Sequence, residues 1–105
     1  MEQGSDQLIV DVTTDGAVAR ISVSGELDVH TAPTLSDGIN KAFAGGAANI
    51  EVDTSELRFC DSSGIQVLVQ AREHALAKGG SVTVTGAHGP VEKVLTVTGL
   101  LELFS

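Results

Sequence analysis

Two adjacent serines follow an aspartate in the motif Asp61-Ser62-Ser63-Gly64, where a predicted strand passes into a predicted helix. A serine at a helix start can accept a hydrogen bond from the unpaired N–H groups of the first turn. The same N–H groups, at the positive end of the helix dipole, also stabilise a phosphate. Capping requires only one of the two serines. The motif is therefore interpreted either as a plain helix cap, the commoner role of these residue types, or as a phosphorylation switch.

Hydrophobic periodicity predicts the elements that position this motif. Runs of Val and Ile favour strands, and apolar residues at helical spacing favour helices. Asp15–Gly16 predicts a hairpin between the first two strands, and two Gly-Gly pairs predict helix ends. The predicted order is β-β-α-β-α-β-α-β, with strands over residues 7–12, 17–24, 48–53, 81–85 and 101–104, and with helices from about residue 33, over 65–78 and from residue 90.

An N-terminal β-hairpin followed by alternating helices and strands predicts an α/β fold. Right-handed βα units then form a mostly parallel sheet with helices packed on it. The length and the absence of linkers predict a single domain over residues 1–105. Sites in such sheets form beyond the C-terminal ends of the strands. Loops over residues 25–31 and 54–63 follow the second and third strands, so Asp28 and Ser62 are expected at one edge if these strands are neighbours.

The composition excludes several classes of partner and ligand. Fourteen acidic residues against six basic ones give a net charge of −8, so nucleic acids and anionic membranes are repelled. The polar N-terminus has no secretory signal, and no apolar run is long enough to span a membrane, which favours the cytoplasm. A single cysteine and three widely spaced histidines predict no disulfide, no metal site and no cofactor.

An enzymatic role is a competing interpretation of the same motif. Ser62 or Ser63 would need an adjacent base to act as a nucleophile, and His30 is the only histidine placed near them by the predicted topology. The motif also differs from the G-x-S-x-G elbow of hydrolases, and no P-loop is present. Cys60 is predicted to be a small buried residue, because Asp61 disfavours its thiolate. The chain is therefore predicted not to be an enzyme.

Three segments together resemble the STAS domain family of anti-sigma factor antagonists. They are GELDVHTAPTL at residues 25–35, FCDSSGIQVLVQA at residues 59–71 and VTGLLELF at residues 97–104. The segments occur in the family's order and spacing, and the hairpin and the Gly-Gly turn also fit. GELD followed by DSSG at this distance is the specific part of the resemblance.

The resemblance implies regulation by partner switching. An unphosphorylated antagonist binds an anti-sigma factor that is also a serine kinase, and the sigma factor is released. The kinase phosphorylates the antagonist, which then dissociates, and a PP2C-type phosphatase reverses the modification. The hydroxyl that matches the family's phosphorylation site is that of Ser62. The residues implied in partner binding are Asp28, Asp61, Ser63, Gly64 and Gln66.

Three points stay open at the level of sequence. Gln66 occupies a position where many members of the family have Gly, which alters the partner surface. Asp28 has an alternative role as a turn or cap residue at the start of the first helix. The alternative function is a STAS docking or scaffold module in a signalling complex that is never phosphorylated.

Overall fold

The computed structural model describes residues 8–104 and, within this range, contains four strands, three α-helices and a short 3₁₀ helix. The sheet has the order β1-β2-β3-β4. The elements are β1 (Ile9–Asp15), β2 (Val18–Leu27), α1 (Ala32–Ala44), β3 (Asn49–Cys60), α2 (Ser62–Ala77), β4 (Ser81–Thr85), α3 (Gly89–Val97) and the 3₁₀ helix (Leu101–Phe104).

The strand pairing confirms the predicted α/β architecture. β1 and β2 form an antiparallel hairpin that closes with the pair Asp15 and Val18, and Gly16 in the turn has φ +65°. β3 pairs parallel with β2 on one side and with β4 on the other. The predicted start of the first strand at Gln7 lies outside the described residues. The α/β fold with a mostly parallel sheet is therefore correct.

The three α-helices cover one face of the sheet. Ala19, Ile21 and Val23 of β2 alternate with exposed residues and are almost fully buried. Side chains from α1, α2 and α3 meet these strands around one apolar interior. The opposite face is polar, and Arg20 on β2 forms an ion pair of 3.2 Å with Glu51 on β3. The apolar spacing of the second helix predicts that Leu76 lies on the same buried side as Ile65 and Leu68, and this is wrong for Leu76, whose side chain is 51% exposed.

β3 continues seven residues beyond its predicted end at Asp53. Buried residues of β3 are first two apart, at residues 50, 52 and 54, and then three apart, at 57 and 60. The register with β2 shifts at the same places, and β3 gains one extra residue at each shift. These bulges interrupt the alternation that identifies a strand in a sequence. The predicted loop over residues 54–63 is therefore mostly strand, and residues 25–27 also belong to β2.

The predicted last strand is also wrong. Residues 101–104 form a 3₁₀ helix, in which the Leu103 N–H donates to the Leu100 carbonyl at 3.0 Å. Gly99 (φ +74°) lets the chain turn back after α3. Phe104 is fully buried, whereas Leu101 and Leu103 are exposed. The segment therefore packs on the core through Phe104 alone and lacks the alternation of buried and exposed residues that a strand would show.

Thr54 connects the first bulge to the end of β4. Its side chain is 2% exposed, and its hydroxyl donates to the Thr85 carbonyl at 2.8 Å. We expect Thr54→Val to lower the free energy of unfolding by about 1 kcal/mol, because the shape is kept while this hydrogen bond is lost. Urea denaturation measures the difference.

Thr83→Val is the matched control for this prediction. Thr83 is half-buried on β4, and its hydroxyl makes no hydrogen bond to another residue within the range 8–104. We expect a change within about 0.5 kcal/mol for this variant. Equal losses in the two variants would contradict the role assigned to the Thr54 hydroxyl.

Candidate functional site

Asp61, and not a serine, caps the start of α2. Its Oδ1 accepts a hydrogen bond from the Ser63 N–H at 2.9 Å, and its backbone is extended, as expected for a capping residue. The helix begins at Ser62, three residues before the predicted start at Ile65. Ser62 is exposed, and its hydroxyl makes no hydrogen bond within the described part of the chain. The capping role and the candidate switch role therefore fall on different residues.

Gly64 allows α2 to approach the ends of β2 and β3. A Cβ atom at this position would lie 2.5 Å from Cγ of Leu27 and 2.9 Å from Sγ of Cys60. Both neighbours are buried, and Leu27 is 1% exposed. Burial raises the pKa of the Cys60 thiol to about 11, and the charge of Asp61 acts in the same direction. Cys60 is thus a buried packing residue, as predicted.

Asp28 organises the loop between β2 and α1. Its Oδ1 accepts from the His30 N–H at 2.9 Å and from the Thr31 N–H at 3.1 Å. Thr31 in turn accepts from the Asp28 N–H at 2.9 Å and donates to the Glu26 carbonyl at 2.8 Å. Asp28 therefore has the turn role that was its alternative interpretation. The sequence makes Thr31 a plausible cap of the first helix, and Thr31 does occupy the N-cap position of α1, although its side chain makes no capping hydrogen bond.

The same hydrogen bonds lower the pKa of Asp28. Desolvation raises it, but the hydrogen bonds from Thr31 and His30 outweigh this effect, so the pKa lies below its ordinary value of 3.8. The carboxylate is therefore ionised at neutral pH. A second acidic group, Asp53, has a lowered pKa because its carboxylate accepts from the Ser55 N–H at 2.9 Å.

The predicted meeting of the two motifs at one edge is correct. Leu27 pairs with Cys60 at the ends of β2 and β3, and the Asp61 N–H donates to the Leu27 carbonyl at 3.1 Å. Asp28 directly follows the last residue of β2, and Asp61 directly follows the last residue of β3. The turn of Asp28 and the first turn of α2 therefore lie side by side at the C-terminal edge of the sheet.

An open groove of about 420 Å³ lies beside this edge, between the first turns of α1 and α2. Ser63 and Gln66 line it from α2, and Val29, which is 63% exposed, lines it from the loop before α1. Pro33 and Ser36 complete the wall on α1, and sequence reasoning missed both. Their spacing of three residues, away from the buried stripe of α1, was the signal that could have identified them.

Other kinds of site lack support among residues 8–104. No group of three or more His, Cys, Asp or Glu residues in that range could hold a metal ion. No helix in that range is long and apolar enough to cross a membrane. The three histidines are exposed, and the ring of His88 bonds to the Ser55 carbonyl at 2.8 Å.

Replacing Gly64 by Ala tests the close approach of α2. The added methyl group overlaps Leu27 and Cys60, and overpacking of this kind costs about 1–3 kcal/mol. The higher helix propensity of Ala offsets about 1 kcal/mol. We expect the free energy of unfolding to fall by up to about 2 kcal/mol, as measured by chemical denaturation.

Gly38→Ala in α1 is the control for the propensity term. Its Cβ would meet only the side-chain ends of Val10 and Val12 on the edge strand β1, at 3.0 and 3.6 Å. We expect unchanged stability or a gain of up to about 1 kcal/mol. A loss in Gly38→Ala as large as that in Gly64→Ala would show that the contacts of Gly64 are not the cause.

The lowered pKa of Asp28 predicts a pH-dependent contribution to stability. Because the folded-state pKa is below 3.8, the ionised carboxylate stabilises the fold above that pH, and this is lost as the pH falls through the folded-state pKa. Asp28→Asn keeps an acceptor oxygen but removes the charge. We expect it to be less stable than the wild type at about pH 6, with a smaller difference at about pH 3. A difference that is equal at both pH values contradicts this prediction.

Comparison with known proteins identifies relatives of this chain. Residues 10–104 match the family model described as "Mlab, STAS domain". An anti-sigma-B factor antagonist of Staphylococcus aureus is 25% identical over 96 residues, which cover 91% of this chain and 89% of that protein. An anti-sigma F factor antagonist of Paenibacillus polymyxa is 30% identical over 84 residues, which cover 79% of this chain and 72% of that protein.

Solved structures agree with these relatives. An anti-sigma factor antagonist from Mycobacterium paratuberculosis superposes with a TM-score of 0.78 at 29% identity, covering 96% of this chain and 86% of that one. The antagonist SpoIIAA in its unphosphorylated form gives a TM-score of 0.81 at 25% identity, covering 90% and 84%. Because the sequence match extends over almost all of the described residues and the fold agrees, the chain belongs to the STAS domain family.

Proposed function

We propose that this chain is an anti-sigma factor antagonist that acts by partner switching through Ser62. Its unphosphorylated form binds an anti-sigma factor with serine kinase activity and thereby releases the sigma factor. Phosphorylation of Ser62 blocks binding, and a PP2C-type phosphatase restores it. The names of the relatives support the general role, and one of them, SpoIIAA, was solved in a form specified as unphosphorylated. The proposed place of action is the cytoplasm, where sigma factors work.

One observation carries this proposal: the Ser62 hydroxyl is exposed and performs no structural task within residues 8–104. Asp61 already satisfies the capping requirement through its bond to Ser63. A kinase can therefore reach the hydroxyl, and its modification breaks no hydrogen bond of the described fold. Ser63 differs, because it is half-buried and lies in the groove wall.

Electrostatics explain how a phosphate could change binding while the fold persists. A phosphate adds about −1.5 to −2 charges near neutral pH. Free N–H groups and the dipole at the start of α2 stabilise an anion there. Asp61 is the preceding residue and Asp28 lies in the neighbouring turn, so the modification concentrates negative charge at this edge. A partner packed over Ser62 would have to bury that charge, which is costly when unpaired.

The proposed contact surface is the edge itself and the groove beside it. Asp28 and Asp61 each use a carboxylate oxygen to hold a backbone turn, so they present fixed charged surfaces. Gly64 brings the first turn of α2 close to the sheet. Gln66 is exposed and lines the groove, so its amide is available to the partner in place of the smaller residue common in the family.

The test uses each anti-sigma factor kinase of the source bacterium, purified and mixed with this chain. We expect one of them to bind wild type and Ser62→Ala, to phosphorylate the wild type at Ser62, and to leave Ser62→Ala unmodified. Ser62→Asp and the phosphorylated protein should bind at least about tenfold more weakly, because a buried unpaired charge costs more than the 1.4 kcal/mol of a tenfold change. Calorimetry and mass spectrometry provide the measurements.

Ser63→Ala is the matched control for the site of modification, and it should still be phosphorylated at Ser62. Circular dichroism should show that phosphorylated wild type remains folded. Phosphate on Ser63, or equal affinity of Ser62→Asp and wild type, would contradict the switch. Binding without any phosphorylation would favour the docking or scaffold module instead.

A further inference from the structure

The groove beside Ser62 continues along α1 and α2 for most of their length. A second cavity, of about 170 Å³, shares Ser36, Val67 and Gln70 with the first one. It extends the groove to Phe43 on α1 and His74 on α2. We call the combined feature the helix groove: the space between α1 and α2 from Val29 to His74.

The lining of the helix groove carries no Asp, Glu, Lys or Arg, as far as the described residues 8–104 are concerned. This is unexpected on a chain with a net charge of −8 and 19% charged residues. Its polar groups are instead amides and hydroxyls, such as Asn40, Gln70 and Ser36, with the imidazole of His74 at the far end. Apolar side chains such as Val67 lie between them. Such a surface suits a segment that presents apolar and neutral hydrogen-bonding groups.

The dimensions fit a helix. From Ser63 to His74 the wall on α2 spans twelve residues, a rise of about 16 Å or about three helical turns. Two neighbouring helices leave a groove that accepts the side chains of a third helix. An amphipathic helix in a groove is also a recurrent mode of recognition between proteins.

We propose that the helix groove binds an uncharged face of a helix from the anti-sigma factor, along its full length to His74. This inference rests on the proposed function and adds the chemistry of the partner segment. The occupant is identified by complementarity: a charged helix face would bury its charges against lining residues that carry no counter-charge, apart from Lys78 beside the Phe43 ring at the far end. The groove is also continuous with the edge that contains Ser62, because Ser63 lies in its wall.

This arrangement gives the two parts of the surface different roles. Asn40 and His74 lie at the opposite end of the groove from Ser63. Contacts at that end provide affinity without touching Ser62. Contacts near Ser62 respond to its charge. The partner helix is held along one continuous surface, and a single modification acts at one end of it.

The test introduces a charge at the far end without changing shape. Asn40→Asp places a carboxylate in the wall of α1, where the side chain is exposed, so that folding tolerates it. Gln70→Glu does the same in the shared wall of α2. We expect each variant to bind the anti-sigma factor identified with wild type at least about tenfold more weakly. Stability measurements verify that both variants are folded.

Asn49→Asp is the matched control, because it makes the same isosteric change at the start of β3, outside the lining of the helix groove, where Asn49 accepts from the Ser81 hydroxyl. The affinity of Asn49→Asp for the anti-sigma factor should stay within about threefold of wild type. This comparison separates the effect of a charge in the groove from the effect of the added net charge. If Ser62→Asp abolishes binding while Asn40→Asp and Gln70→Glu bind like wild type, the helix groove proposal is wrong and the switch stands. If wild type binds no anti-sigma factor, the helix groove proposal and the proposed function are both wrong.

A second copy of the chain is the competing occupant. Sedimentation of the free protein decides this point: a dimer that Asn40→Asp or Gln70→Glu dissociates would assign the groove to self-association and overturn the proposal. A monomer in wild type and in both variants, together with the expected losses of affinity, supports it.

Discussion

The whole candidate site depends on how closely α2 can approach the ends of β2 and β3. Position 64 has room for a hydrogen atom but not for a methyl group, because Leu27 and Cys60 fill the space. This contact places the first turn of α2 directly against the sheet. The bond from the Asp61 N–H to the Leu27 carbonyl then joins the two chain segments. Without this approach, the first turn of α2 would stand farther from the ends of β2 and β3.

Much of the fold could be predicted from the sequence, because most elements obey simple periodicities. The alternation in β2 and the Asp15–Gly16 turn identified the hairpin, and the Gly-Gly pairs marked the helix ends. Periodicity did not identify β3 beyond Asp53, because its two bulges change the interval between buried residues from two positions to three. The prediction for residues 101–104 was wrong for another reason: Phe104 is the one buried residue of this 3₁₀ helix, so the segment has no periodic pattern of burial.

The position of the candidate site at one edge of the sheet was predictable, but the division of tasks among its residues was not. The motif indicated a cap and a modifiable hydroxyl, yet either Asp61 or a serine could have served as the cap on sequence grounds. The observed hydrogen bond from the Ser63 N–H to the Asp61 carboxylate identifies Asp61 as the cap. The helix groove was not predictable in the same way, because it combines residues of two helices that are distant in sequence. The outward spacing of Pro33, Ser36 and Asn40 becomes informative only when α2 is placed beside them.

The hydrogen bonds of the Asp28 turn affect the entropic cost of association with a partner. One carboxylate oxygen, one hydroxyl and the neighbouring backbone groups already satisfy each other in the free protein. A loop fixed in this way loses little conformational entropy when a partner covers it, so less of the interaction energy is spent on ordering. Binding then resembles the docking of two preformed surfaces, in which the interface backbone moves little. The Asp28 turn can thus be covered and released by the proposed partner without refolding.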